Sequence, residues 1–184
     1  LRYAELENID LVNKDGEEGF NLTNADLNHA NLRGAHLYNI DLSGSALLKA
    51  DFRHANLNFA DMQDTDILGA DMTKARIEHT KWGDKVRQEV LAEEAIRQNQ
   101  YEMALDYYQQ AEETYRSLYK ISEAAGQFEV AGQFYYREMI TYRHQLPLFS
   151  SKRFLSKMVD LMCAYGESPA RVIGISIALI LFCS

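Results

Sequence analysis

From Leu22 onward, every fifth residue is large and apolar: Leu22, Leu27, Leu32, Leu37, Leu42, Leu47, Phe52, Leu57, Met62, Ile67, Met72, Ile77 and Trp82. A helix buries a stripe with a repeat of 3.6, and a flat strand alternates with a repeat of 2. Thirteen positions at a strict period of five fit neither. A second, mostly small register runs two residues earlier, through Phe20, Ala25, Ala30, Ala35, Ile40, Ser45, Ala50, Ala55, Ala60, Thr65, Ala70, Ala75 and Thr80. Such a short period predicts a solenoid. Each unit buries one small and one large side chain and turns a corner, and successive coils stack at the strand spacing of about 4.8 Å.

The units Ala25-Asp26-Leu27, Ala30-Asn31-Leu32, Ala50-Asp51-Phe52, Ala55-Asn56-Leu57, Ala60-Asp61-Met62 and Ala70-Asp71-Met72 resemble the A-(D/N)-L-X-X motif of the pentapeptide-repeat family, over about residues 20–84. The resemblance implies a right-handed, quadrilateral parallel β-helix with four pentads per coil. Leu22, Leu42, Met62 and Trp82 then form one inner ladder, and Leu32, Phe52 and Met72 another. The period continues upstream in Ala4-Glu5-Leu6 and Ile9-Asp10-Leu11. Leu11 and Leu22 are eleven apart, so one extra residue is expected in a bulging loop within Val12–Gly19. The chain begins at Leu1, and a fragment lacking earlier coils is expected.

After Trp82-Gly83 the period changes. Asp84 is a candidate N-cap for a helix over Lys85–Gln98 with Val86, Val90, Leu91 and Ala95 on its apolar face. This helix is expected to lid the last coil, because an open end exposes unpaired backbone. Asn99-x-Tyr101-x-x-Ala104-x-x-x-Tyr108-x-x-Ala111 and Gly126-x-Phe128-x-x-Ala131-x-x-x-Tyr135 both resemble the second helix of a tetratricopeptide repeat. Tyr115 and Leu118 match first-helix positions of a second repeat. The copies are 27 residues apart against the usual 34, so two helical hairpins are expected without a full binding groove. The tyrosines here (Tyr101, Tyr107, Tyr108, Tyr115, Tyr119, Tyr135, Tyr136 and Tyr142) read as packing aromatics whose hydroxyls reach water.

Pro147 ends the helical region. Ser150 or Ser151 is expected to cap a helix of roughly 151–164, with Phe154, Leu155, Met158, Leu161 and Met162 apolar and Lys152, Arg153 and Lys157 basic, a composition suited to a membrane surface. Tyr165 to Pro169 breaks it, and Val172–Ser184 is uncharged. Thirteen residues are fewer than the about 20 that cross a bilayer, and the run is read as the start of a transmembrane helix. The domain plan is therefore 1–83 solenoid, 84–148 tetratricopeptide-like helices, 149–167 juxtamembrane helix and 168–184 the start of a transmembrane helix. Asp160-Leu161-x-Cys163-x-Tyr165-Gly166-Glu167-x-Pro169-x-Arg171-Val172 resembles the stretch before a two-helix, potassium-channel-type domain in membrane pentapeptide-repeat proteins. Phe134-Tyr135-Tyr136-Arg137-Glu138-Met139 resembles a helix of the same proteins. Tyr165-Gly166 lacks a selectivity-filter context.

The net charge of −8 is uneven: residues 1–83 hold 8 basic and 14 acidic groups, 84–148 hold 7 and 11, and 149–184 hold 4 and 2. No lysine–arginine cluster points to nucleic acid, and no direct nucleic-acid binding is expected. Cys163 and Cys183 lack metal spacing. His29, His54 and His79 face outward on different sides, so no metal site is expected. Asp41 stacks with Asp61 and Asp51 with Asp71, and Asp64 and Asp66 thicken the acidic side; these read as a solvated face with corner hydrogen bonds. No nucleophile–base pair or phosphate loop appears, and neither catalysis nor a cofactor is expected.

The resemblances imply a cytoplasmic scaffold or regulatory region of a membrane ion-channel-like protein, mediating protein interaction or assembly as a homo-oligomer with an unidentified protein partner. The basic tail residues place 1–167 in the cytoplasm by the positive-inside tendency. The alternatives are an acidic, DNA-mimicking, gyrase-binding module like the quinolone-resistance members of the family, or a membrane-tethered scaffold without a pore. Burying each large inward residue contributes roughly 1.5–3 kcal/mol. Leu57→Asp is therefore expected to melt the coil and Ala55→Leu to strain it, both read as a lower melting temperature; unchanged values would overturn the inward assignment.

Overall fold

The computed structural model describes residues 1–12, 19–167, 170–175 and 177. The pentads form a four-sided coil. Parallel bridges join residues twenty apart from Asn21↔Asp41 through Asp61↔Lys81, one per side. Each bridge is a pair of backbone bonds; Leu42 N–H donates to Asp61 O at 2.9 Å and Asp61 N–H to Ile40 O at 2.8 Å. Leu27, Leu47, Phe52 and Leu57 fill the axis with no exposed surface, and Ala35, Ala55 and Ala60 occupy the crowded small register equally buried. Leu22 and Trp82, at the ends of the run, are only partly buried.

The corners have a uniform geometry. From Asn24 to His79, every fifth residue has φ between 55° and 70°. Each lies inside a turn such as Leu27 to Ala30, where Ala30 N–H donates to Leu27 O at 3.0 Å, the pattern of a type II turn. Only three of these twelve corners are glycine (Gly34, Gly44 and Gly69); the others include Lys49, Phe59 and Lys74. The left-handed region costs an L-residue about 1–2 kcal/mol. The stacking offsets that cost from Asn24 to Phe59, where each corner N–H donates to the next coil, as Phe59 N–H does to Glu78 O at 2.9 Å.

The Asp/Asn of the motif closes the same turns. Asp41, Asp51 and Asp71 each accept the backbone N–H two residues on, at 2.9 to 3.0 Å. Buried polar groups of the small register are also paired: Ser45 donates to Leu22 O at 2.7 Å and accepts from Ala25 N–H at 3.1 Å.

Two expectations for the first coil are corrected. Phe20 is 45% exposed, since its ring is too large for the small register. Glu5↔Asn31 and Asp10↔His36 span 26 residues rather than twenty, so the excess before Asn21 is six residues, not one. A phase count modulo five cannot distinguish the two. The expected loop within Val12–Gly19 lies largely outside the described residues. Gly19 is required where it stands, because a Cβ there would meet Asn39 O at 1.6 Å.

Helices follow: α1 Arg87–Arg97, α2 Tyr101–Ala124, α3 Phe128–Gln145 and α4 Ser151–Cys163, then a 3-10 turn, Ala164–Gly166. Asp84 is not the cap of α1; Val86 holds that position without a side-chain bond. Of the expected apolar face, Val86 and Ala95 are buried and Leu91 is half-buried, but Val90 is not. Val90 is 42% exposed, while Gln88 and Glu89 are buried because they have partners in the solenoid and in α2 and α3. The two helical hairpins, α1 with α2 and α2 with α3, share α2, which is one continuous helix of 24 residues. The seven-residue shortening removes the break between them. The repeated features are otherwise equivalent: Asn99 (φ 59°) and Gly126 (φ 75°) terminate α1 and α2, and Gln100 N–H and Gln127 N–H reach back to Ala95 O and Ser122 O at 2.8 and 2.9 Å. These are Schellman closures. Ala104, Ala111 and Ala131 are buried at helix contacts, whereas Tyr101 and Phe128 are 63% and 73% exposed.

The lid is not α1 alone. Val86, Ala111, Tyr115, Leu118 and Phe134 belong to the same buried cluster as the solenoid axis. Trp82 meets the edge of Phe134 at 6.0 Å, and Gln88 donates to Asp66 at 2.5 Å. Solenoid and helices therefore share one core.

On the far side of the helices, His144 stacks on Tyr108 at 4.7 Å. His144 keeps one edge exposed, but desolvation of the face stacked on Tyr108, with the Arg153 and Arg143 cations nearby, lowers its pKa. A depressed histidine pKa means that the unfolded chain binds the proton more readily, so stability is lost as pH falls through the ordinary histidine value of about 6.5. The melting temperature is expected to drop between about pH 7 and pH 5, and His144→Gln to flatten that drop; an unchanged slope would refute the assignment.

Candidate interaction site at the helical lid and tail

Among the described residues no cluster of histidine, cysteine, aspartate or glutamate could hold a metal. His29, His54 and His79 sit at left-handed corners (φ 59°, 61° and 60°) and point to solvent. His29 stacks on Tyr3 at 4.9 Å and His79 on Phe59 at 4.8 Å, on different corners. The paired aspartates are knitted into the coil. Arg53 contacts Asp51 at 2.5 Å and Asp71 at 3.8 Å, and Lys81 approaches Asp61 to 3.7 Å. The hydrogen bonds from Arg53 hold the Asp51 carboxyl below its ordinary range. Cations interleaved at the coil spacing thus relieve the like-charge stack.

The lid contains a buried polar group that sequence reasoning missed. Tyr115, expected to reach water, is 1% exposed. Its hydroxyl donates to Glu89 Oε2 at 2.6 Å and accepts from Val86 N–H at 3.0 Å. Arg137 pairs with the same carboxylate at 2.6 Å. Burial and the Glu89 charge push the Tyr115 hydroxyl well above its ordinary range. The group ties α1, α2 and α3 beneath the solenoid, and its role is structural. No pattern within one helix could reveal it, since the partners are 26 and 22 residues apart from Tyr115.

Beyond α3 lies the tail. Ser150 caps α4 as expected, accepting from Arg153 N–H at 3.1 Å. The helix ends at Ala164, which with Tyr165 and Gly166 has positive φ (48°, 55° and 100°). Asp160 gathers the surroundings: Arg143 Nη1 lies 2.7 Å away, the Tyr136 hydroxyl donates at 3.1 Å, and Arg171 approaches to 3.8 Å. Arg143 also reaches the Tyr165 hydroxyl at 3.3 Å, and Tyr165 donates to Ser156 O at 3.0 Å. The Glu167 carboxylate lies against Gly132 of α3, where a Cβ would meet Oε2 at 2.0 Å. The two tail-motif segments quoted from the sequence are thus brought together, with Asp160, Tyr165 and Glu167 meeting the face of α3 that carries Gly132, Tyr136 and Arg143.

This docking leaves α4 inverted. None of its residues is buried. Arg153, Ser156, Val159, Asp160 and Cys163 are its less exposed side, whereas Phe154, Leu155 and Leu161 are 70%, 64% and 67% exposed. A groove of about 510 Å³ runs between α4 and its neighbours, lined by Tyr136, Phe154, Lys157, Met158, Asp160, Leu161 and Arg171. Cys163 is a free thiol. The expected transmembrane start at 168–184 lies mostly outside the described residues. Among those described, no helix is long and apolar enough to cross a membrane.

Asp160→Asn is expected to release the tail. Limited proteolysis should cut within 146–167 at least several-fold faster, while the melting transition of the solenoid and lid stays within about 1 kcal/mol of the parent. Unchanged cleavage would show that Asp160 does not hold α4.

Residues 21–58, 37–73 and 50–81 each match the family described as pentapeptide repeats (8 copies). Among solved structures, the chain is similar to a pentapeptide repeat protein of the Arabidopsis thaliana thylakoid lumen, 23% identical over 45% of this chain and 56% of that one, with a TM-score of 0.36. It is also similar to HetL of Nostoc sp. strain PCC 7120, a pentapeptide repeat protein involved in heterocyst differentiation regulation, 28% identical over 44% of this chain and 46% of that one, with a TM-score of 0.30. A further similarity is to QnrB1, a plasmid-mediated fluoroquinolone resistance protein, 16% identical over 42% of this chain and 56% of that one, with a TM-score of 0.16. The matches span about half the length of those solved chains. The comparison with curated proteins gave no match. The segment 21–81, which builds the four-sided coil, is thus the part of this chain that matches the pentapeptide-repeat family.

Proposed function

We propose that this chain is a protein-interaction scaffold mounted on the cytoplasmic side of a membrane, as the assembly or regulatory region of an ion-channel-like protein. The observation that carries the reading is the tail helix, held on its polar side by Asp160 and presenting Phe154, Leu155 and Leu161 outward. A solenoid and lid with one shared core supply a stiff body, and α4 supplies its attachment. Lys152, Arg153, Lys157 and Arg171 favour the cytoplasmic side by the positive-inside tendency. The resemblance of the Asp160–Val172 stretch to the segment before a two-helix pore adds the channel and, with it, several copies around one axis.

The acidic gyrase-binding reading draws on the net −6 of residues 1–83. It needs a free line of carboxylates. Here Asp51, Asp61 and Asp71 accept backbone N–H groups and face Arg53 or Lys81. A tether without a pore shares every feature of the tail. Deleting 151–184 is expected to give a soluble, folded protein, measured by membrane fractionation and circular dichroism; a product still wholly in the membrane fraction would defeat this division of roles.

A further inference from the structure

The apolar face of α4 is turned the wrong way for a water-soluble body. Phe154, Leu155, Met158, Leu161 and Met162 form a stripe roughly 120° wide at 3.6 residues per turn. A soluble amphipathic helix lays such a stripe on its own core. Here the opposite side, with Ser156 and Asp160, meets α3 and the Tyr165 turn. Exposed Leu148 and Phe149, before the helix, and Ile173, after it, extend the apolar character along the tail. Lys152 and Lys157, both exposed, flank the stripe on either side.

We infer that α4 lies flat in the headgroup layer of an anionic membrane, its Phe154–Met162 stripe below the phosphates and Lys152 and Lys157 paired with them. The inference rests on the tail meeting a membrane, as proposed above, and names the lipid chemistry it meets. Thirteen residues make a helix about 20 Å long, too short to cross a bilayer but suited to lie along one. Charge decides which lipid. Residues 1–148 hold 15 basic and 25 acidic groups and are repelled by an anionic surface, whereas residues 149–184 hold 4 and 2 and are drawn to it. The same asymmetry orients the body away from the bilayer. A second copy is a poorer occupant, because a two-fold pairing through the stripe brings the flanking lysines of the two helices together without counter-charges.

The test uses the full chain with flotation on phosphatidylcholine vesicles and on vesicles enriched in phosphatidylglycerol. Phe154→Trp reports depth by its emission, against the constant background of Trp82. Binding to the anionic vesicles, with a blue shift at position 154, is expected. The double variant Lys152→Glu/Lys157→Glu, at exposed sites, should keep its circular dichroism and melting temperature yet bind at least about tenfold more weakly, as should the parent chain in high salt. Equal binding to neutral and anionic vesicles, with no shift at position 154, would overturn the inference and leave the membrane reading standing. Binding to neither would overturn both.

Discussion

Everything in this protein hangs on the backbone ladder of the coil. A side of five residues is too short to satisfy its own hydrogen bonds, so each coil depends on the ones above and below. The bridges at a separation of twenty provide that, and the corner N–H bonds between coils compensate the left-handed corners from Asn24 to Phe59. Removing the stack would leave Phe59 and Lys49 in a conformation that ordinary residues avoid. The inward Leu and Ala registers lie along the axis because the ladder holds them there. Their burial then repays the ordering of a chain with little local structure.

A ladder must end, and the end defines the rest of the fold. Its last bridge joins Asp61 to Lys81, and α1, α2 and α3 together close the surface beyond. The closure is partly apolar, through Trp82, Leu118 and Phe134, and partly polar. The Glu89–Tyr115–Arg137 group is the more telling part. A carboxylate removed from water is costly unless paired and hydrogen-bonded, and here it has both a cation and a phenol. The arrangement specifies how three helices meet one coil more narrowly than apolar packing could.

The tail obeys the opposite logic. Asp160 draws Tyr136, Arg143 and Arg171 to the polar side of α4, so the apolar side has nowhere to go but outward. A scaffold that hid this stripe would gain burial, so its exposure is what gives the tail its character. The positive φ values at Ala164, Tyr165 and Gly166 turn the chain sharply after α4 and bring Glu167 back to Gly132.

Much of this was legible along the chain. The period of five determined the coil, its inward registers and its outward histidines, because a side chain's direction in a stacked coil depends only on its phase. The Schellman ends at Asn99 and Gly126, the buried Ala104 and Ala131, and the Ser150 cap follow from local steric rules in the same way. Phase could not reveal the six-residue excess before Asn21, since one and six are equal modulo five. Helical periodicity found Val86 and Ala95 on the buried face of α1 but not Gln88 and Glu89, which take the place expected of Val90 because their partners come from Asp66, Tyr115 and Arg137. Those partners are remote in sequence and meet only when the lid closes on the coil. The composition of α4 determined that it would be amphipathic; only its contacts with α3 decided that the apolar side would face out, because a helix can be rotated by its polar anchors as well as by its core.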